Sequence, residues 1–206
     1  LILNYTPSQR LKKITQTATY APHFISTVVL VGMMFVFFDP ASGIGTSILK
    51  GFGMSNPQVL TDPAAFPHLY VWSAIWQTTG WSSIIYIAAL SGVSPELHEA
   101  AIADGANKLQ RIFYIDIPML IPTAVILLIL NCGNIMNLGF EKVYLMQTAP
   151  NLSTAEVIST YVYKIGLQGQ QYSYASAIGL FNNIINFTIL ILVNQIAGKT
   201  TENSLW

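Results

Sequence analysis

Four stretches of about twenty residues, near Thr17–Phe38, Leu69–Leu90, Met119–Leu138 and Tyr174–Ile196, contain no Asp, Glu, Lys or Arg. A helix of roughly 20 mostly apolar residues spans the ~30 Å hydrocarbon layer of a bilayer. Ionisable side chains are the costliest residues there. A soluble core of the same composition would need a charged exterior to cover it, and that exterior is missing. Only 9% of the residues are charged and 52% are apolar, whereas soluble domains carry about a quarter charged residues. The chain therefore reads as an all-α integral membrane protein with about four spanning helices.

Nine basic residues balance nine acidic ones, so no basic excess is available to neutralise phosphates and nucleic acid is excluded as a partner. One cysteine, Cys132, excludes an internal disulfide framework and any multi-cysteine metal site. The first ten residues are short, partly polar and followed by a basic cluster, unlike a signal peptide. The chain begins at Leu1 rather than Met, and an upstream segment is expected. Lys and Arg placement orients the spans. Arg10, Lys12, Lys13, Lys108, Arg111 and Lys199 fall on one side, against Lys50, Lys142 and Lys164 on the other. Both ends and the central loop are expected in the cytoplasm. The segments Asp39–Pro67 and Gly139–Tyr172 are expected outside, as short irregular loops rich in Gly, Pro, Asn and Ser.

The central loop is unlike the rest. Between Ser94 and Pro122 lie six of the eighteen charged residues. Ser94 suits an N-cap, Pro95 the first helical position and Glu96 the positive helix end, which predicts a helix to about Ala103. Gly105 permits a tight reversal. Asn107 can cap a second helix with Leu109, Ile112 and Phe113 on one face. Pro118 is expected to bend the chain where it enters the next span. Ala100, Ala101, Ala103 and Ala106 offer little bulk for insertion into lipid, but they let another protein approach the helix backbone closely. An amphipathic hairpin resting on headgroups is the competing reading.

Glu99-Ala100-Ala101, three residues, Gly105, nine residues, then Ile115-Asp116-Ile117-Pro118 resembles the EAA loop of ABC-importer permeases, in which Leu is commoner at the position of Ile117. The Glu99-Ala-Ala-x-x-Asp104-Gly105-Ala106 form is similar to that of carbohydrate-type permeases. Pro22-His23-Phe24-Ile25-Ser26, Gly80-Trp81, Tyr161-Val162-Tyr163, Tyr172-Ser173-Tyr174-Ala175 and the terminal Ser204-Leu205-Trp206 resemble the complex-sugar and oligosaccharide branch. The resemblance implies a type I ABC-importer transmembrane domain with a six-span core. Residues 1–206 would be part of it, lacking N-terminal spans, with Leu1–Ser8 the end of a preceding helix and residues 94–118 the cytoplasmic coupling loop.

The function so implied is a permease subunit of an ATP-driven importer in the bacterial inner membrane, a transport subunit rather than an enzyme. It would form the pathway for a carbohydrate, in the first place an oligosaccharide, with a permease for another small solute as the alternative. Its implied partners are cytoplasmic ATPase subunits, a second permease subunit and an extracytoplasmic solute-binding protein. No cofactor is implied, since ATP would bind the partner ATPases. Glu99 would pair with a basic ATPase residue. Ala100 and Ala101 would form the close contact, Gly105 would shape the bend, and Asp104, Ile115 and Pro118 complete the motif.

Polar residues inside the apolar runs are candidates for the solute path. Asn131, Asn134 and Asn137 recur every three residues, Asn182 and Asn186 stand four apart, and Gln77, Thr78 and Thr79 interrupt the second run. Amides donate and accept hydrogen bonds, as sugar hydroxyls require. They equally serve as hydrogen bonds between helices, and the sequence leaves both roles open. Gly133 and Gly179 suit helix packing.

Other chemistry finds little support. Gly198-Lys199-Thr200 imitates the end of a phosphate-binding loop, but the required earlier glycine is Val193. His98-Glu99 imitates a zinc-protease motif, but the second histidine position is Ile102. A channel or ion-coupled transporter of this type often buries ionisable residues in its spans; here only His23, near a span end, is available.

Overall fold

The structure is a computed structural model that describes residues 5–55, 57–201 and 204–205. Leu1–Asn4 and Trp206 lie outside the described residues, and residues 5–8 form a turn and bend. All regular structure among the described residues is helical: α1 (Gln9–Tyr20), α2 (Thr27–Phe37), α3 (Ile44–Gly51), α4 (Phe66–Ser91), α5 (Pro95–Ala103), α6 (Lys108–Arg111), α7 (Ile117–Cys132), α8 (Phe140–Met146), α9 (Leu152–Ala155), α10 (Ile158–Tyr163) and α11 (Tyr172–Thr201). The chain divides into two compact units. One holds residues 5–19, 79–136 and 182–205, the other residues 20–78 and 137–181.

Among the described residues, two helices are long and apolar enough to cross a membrane, Lys108–Cys132 and Tyr172–Thr201. Only 11% and 6% of their most apolar windows are buried, so their apolar side chains point outward, as lipid contact requires. The other two expected spans differ from the sequence reading. The first is interrupted: a 3-10 turn at Ala21–Phe24 follows α1, and α2 starts afresh after Ile25 and Ser26. Both of these residues are extended, at φ −77°, ψ 124° and φ −64°, ψ 152°. The cause is local. Pro22 supplies no N–H, and Ser26 accepts a hydrogen bond from Val29 N at 3.3 Å to cap a new helix. Counted as one span, this broken pair makes a third crossing. The second expected span is a single helix, α4, whose 26 residues give about 39 Å. Its polar residues, Gln77, Thr78 and Thr79 among them, leave it less apolar than the other two.

The third expected span ends early. α7 stops at Cys132 rather than Leu138, and residues 133–136 form turns closed by Asn134 N to Asn131 O and Ile135 N to Cys132 O. Pro118 does not break the chain. A π turn at Ile112–Asp116, closed by Ile117 N–H to Ile112 O, immediately precedes it. The helix continues from Lys108 through this wider turn to Cys132, so the missing donor of Pro118 does not end it.

The unit of residues 20–78 and 137–181 is built around Leu30, Val31, Met34, Phe66, Val143, Met146 and Ala155. α8 packs on α2 there. The segment Gly139–Tyr172, expected to be irregular, is thus largely helical. Its polar backbone is satisfied from within: Asn151 donates to Leu60 O and Met146 O, and Gln147 donates to Ala155 O and Thr160 Oγ1. In the unit of residues 5–19, 79–136 and 182–205, Gly80 meets the backbone of Thr19 so closely that a β-carbon would clash with its carbonyl group. Gly133 lies against Leu190, whereas Gly179 faces open space.

Candidate coupling loop and solute path

α5 and its exits follow from local chemistry. Ser94, at φ −60° and ψ 129°, accepts from Glu96 N at 3.3 Å, and Pro95 opens the helix. The helix ends with Gly105 at φ +84°. Ala106 N donates to Ala101 O at 2.8 Å and Gly105 N to Ile102 O at 3.0 Å, the paired closure of a Schellman motif. A β-carbon at Gly105 would meet no neighbour, so glycine is needed for its φ alone. Asn107 and Gln110 then form a reciprocal capping box, 2.9 Å and 2.8 Å, that starts α6.

This geometry leaves a short helix with an open face. Glu99, Ala100, Asp104 and Gly105 are exposed and Ala101 is half-buried. Leu97 and Ile102 stand exposed beside them. Farther on, Leu109, Phe113, Tyr114 and Pro118 are exposed, and Ile115 is half-buried. The loop also contains a residue to which the sequence reading gave no role of its own. Asp116 is 0% exposed, and His98 Nε2 lies 3.4 Å from its Oδ1. Tyr5 sits beside it. Burial first, then Asp116, push the Tyr5 hydroxyl up to about 12, against a lowering by Arg111. The Arg111 guanidinium lies 5.6 Å from the Tyr5 ring centre.

The candidate path residues fall in both units: Asn131, Asn134, Asn182 and Asn186 in one, Gln77 and Asn137 in the other. Asn186 is buried, and its Oδ1 accepts from Met136 N at 3.2 Å. Its amide nitrogen has no hydrogen-bond partner among the described residues. Asn182 is half-buried one turn earlier on α11. Asn131 and Asn134 are exposed, and Asn134 donates to Leu130 O at 3.2 Å. Asn137, in the other unit, is exposed beyond the end of α7. Because the chain leaves the helix at Cys132, the spacing of three in Asn131, Asn134 and Asn137 does not describe one helical face. Gln77 is committed elsewhere: its Nε2 donates to Ile25 O at 2.7 Å, at the break before α2. The sequence also offered no reason to single out Asn194, buried on α11, whose Oδ1 accepts from Leu205 N at 2.8 Å.

Among the described residues, Lys142 is the other buried ionisable side chain. It donates to Tyr70 O at 3.2 Å and lies 5.0 Å from the Tyr70 ring centre. Burial pushes its pKa down to about 8. Among the described residues, no three of His, Cys, Asp and Glu converge as metal ligands. Lys199 of the Gly198-Lys199-Thr200 sequence lies within α11, in no phosphate-cradling loop.

Residues 1–201 match the family described as binding-protein-dependent transport system inner membrane component. The chain belongs to that family. Across all 206 residues it is 38% identical to the polygalacturonan/rhamnogalacturonan transport system permease protein YteP of Bacillus subtilis (strain 168), and 37% identical to Protein LplB of the same organism. It spans 64% and 65% of the length of these two relatives. The fold resembles a solved chain of a bacterial alginate ABC transporter in complex with an alginate pentasaccharide-bound periplasmic protein. The TM-score is 0.94 at 36% identity, covering 99% of this chain and 71% of that one. The all-α permease architecture expected from the EAA loop is therefore the architecture observed.

Proposed function

We propose that this family member acts as a permease subunit of an ATP-driven importer, lining a membrane pathway for an oligosaccharide. An extracytoplasmic binding protein delivers the solute, a second permease subunit completes the pathway, and cytoplasmic ATPases drive it. The chain itself performs no chemistry on its cargo. The observation that carries the reading is α5: a capped helix with Glu99 and Ala100 exposed, closed by Gly105 at positive φ. Such a helix offers a carboxylate and a close-approach surface to a protein partner with a basic cleft. Two of the relatives support the cargo class, since their names or complexes concern polygalacturonan/rhamnogalacturonan and alginate.

The test uses the assembled transporter. Gly105→Val places a β-branched residue at φ +84°, which opposes the reversal and re-aims α5. Glu99→Lys turns attraction toward a basic partner into repulsion. Both variants should insert into membranes normally, because every apolar helix is unchanged. Both should lose most ATPase co-purification and uptake. Wild-type ATPase binding and uptake in both variants would overturn the docking role of α5.

A further inference from the structure

The reversal at Gly105 is held only by local hydrogen bonds, from Asp104, Gly105 and Ala106 back to Ala100, Ile102 and Ala101. No neighbour packs against the position where a Gly105 β-carbon would stand. A turn so lightly held bends easily, and a push on α5 would be absorbed there instead of reaching α7. Among the described residues, one polar side-chain pair spans the turn. His98, on α5, reaches Asp116, the last residue of the π turn and the N-cap of α7. Asp116 is fully buried, and its oxygens have no hydrogen-bond partner among the described residues. The His98 side chain is 21% exposed. Interaction between polar groups withdrawn from water is much stronger than between exposed ones, so the 3.4 Å approach of His98 Nε2 weighs heavily on this carboxylate. Tyr5 lies beside Asp116, with the Arg111 guanidinium 5.6 Å from its ring centre.

We propose that His98 and Asp116 form a strut across the Gly105 turn that fixes the angle between α5 and the root of α7. Displacement of α5 by its partner then moves α7 as one body. His98 and Asp116 are positioning residues: neither contacts the solute or the nucleotide. The inference rests on the docking role of α5 proposed above, but makes a separate demand. Docking concerns whether the ATPase binds; the strut concerns whether its stroke is transmitted.

The experiment reads both in the complete transporter reconstituted with its ATPases, partner permease and binding protein in proteoliposomes. His98→Leu keeps bulk at a half-buried position but removes the polar nitrogen. ATPase co-purification and hydrolysis rate should stay near wild type, while solute imported per ATP hydrolysed should fall about fivefold, within the range seen for residues that transmit coupling. His98→Gln, whose amide nitrogen takes the place of Nε2, should keep more than half of the wild-type ratio. The exchange of both residues, His98→Asp with Asp116→His, should recover part of what His98→Leu loses. A wild-type ratio in His98→Leu overturns the strut. Equal loss of the ratio in His98→Leu and His98→Gln also overturns it, because bulk or packing would then be the cause. Loss of ATPase co-purification in His98→Leu would move His98 into the docking surface and overturn the strut while leaving the docking role standing. Failure of docking itself is read separately, from Glu99→Lys.

Discussion

At the residue scale, the polar side chains withdrawn from water carry the most information. Lys142 is 8% exposed and donates to the Tyr70 carbonyl, and its pKa is lowered to about 8 by burial. In the unfolded chain the same group titrates near ~10.4. Below pH 8 both states hold the proton and the folded state carries the full cost of burying the charge. As pH rises from about 8 toward ~10.4 the folded state loses its proton first, so stability rises with pH. The purified protein should therefore gain several degrees in Tm across that window relative to Lys142→Met, in which the rise is absent. Parallel Tm–pH curves for the two proteins would contradict the assignment. Asn186 makes a different prediction. Its Oδ1 holds Met136 N while its amide nitrogen has no partner among the described residues, leaving that donor available to a hydroxyl. Asn186→Leu should alter uptake or solute preference in a complex that still assembles, whereas Asn186→Asp, which keeps the acceptor for Met136, should preserve assembly and change only recognition. Unchanged uptake with Asn186→Leu would return this residue to helix packing.

At the scale of elements, the break between α1 and α2 is started locally by Pro22 and Ser26, but the donor that satisfies it lies far along the chain. Ile25 lies outside any helix, and Gln77 of α4 gives its carbonyl a partner at 2.7 Å. An unsatisfied buried carbonyl costs about 1–3 kcal/mol. Gln77→Leu should lower Tm by several degrees, on the order of 2–4 °C per kcal/mol for a chain of this length. Gln77→Glu should do the same, because it replaces the donor by an acceptor; no change in either variant would show that another donor satisfies Ile25. This break also shows why parts of the fold were legible in the sequence and others were not. The caps of α5 and α6 could be read directly, because Ser94, Pro95, Gly105 and Asn107 act on neighbours within three or four residues. The end of α7 at Cys132 is less plain: Gly133 and Asn134 suit a helix end, but no proline follows and the apolar run before it is unbroken. Pro22 and Ser26 start the Ile25 break locally, but its donor Gln77 lies 52 positions away, and no periodicity reports that pairing. His98 was legible only as a failed zinc ligand; its partner Asp116 lies eighteen residues on, across a turn whose geometry only the structure supplies.

At the scale of the whole molecule, the outstanding question is which side of the membrane each loop occupies. The lysines and arginines assign the α5–α6 region to the cytoplasm and the α8–α10 region to the outside. Three basic residues against six is a modest asymmetry, and α1–α2 is a broken span while α4 is diluted by polar residues. Direct labelling decides it. Gln110 is exposed in α6 and suits a single cysteine in a Cys132→Ala background. In the α8–α10 region, Gln147 is a poor site because its amide is bound to Ala155 and Thr160. Ser153, exposed in α9 and nearly the size of cysteine, is the better one. In intact cells a membrane-impermeant maleimide should label Ser153→Cys and spare Gln110→Cys. In inverted vesicles the pattern should reverse. Labelling of both from one side would put an even number of crossings between α6 and α9, or none, in conflict with the charge distribution. It would also place α5 where no cytoplasmic ATPase could reach it, or move α8–α10 to the ATPase side. A reversed but still opposite pattern would keep the crossing between them while excluding α5 as the coupling helix. The labelling thus separates the course of the chain through the bilayer from the role assigned to its central loop.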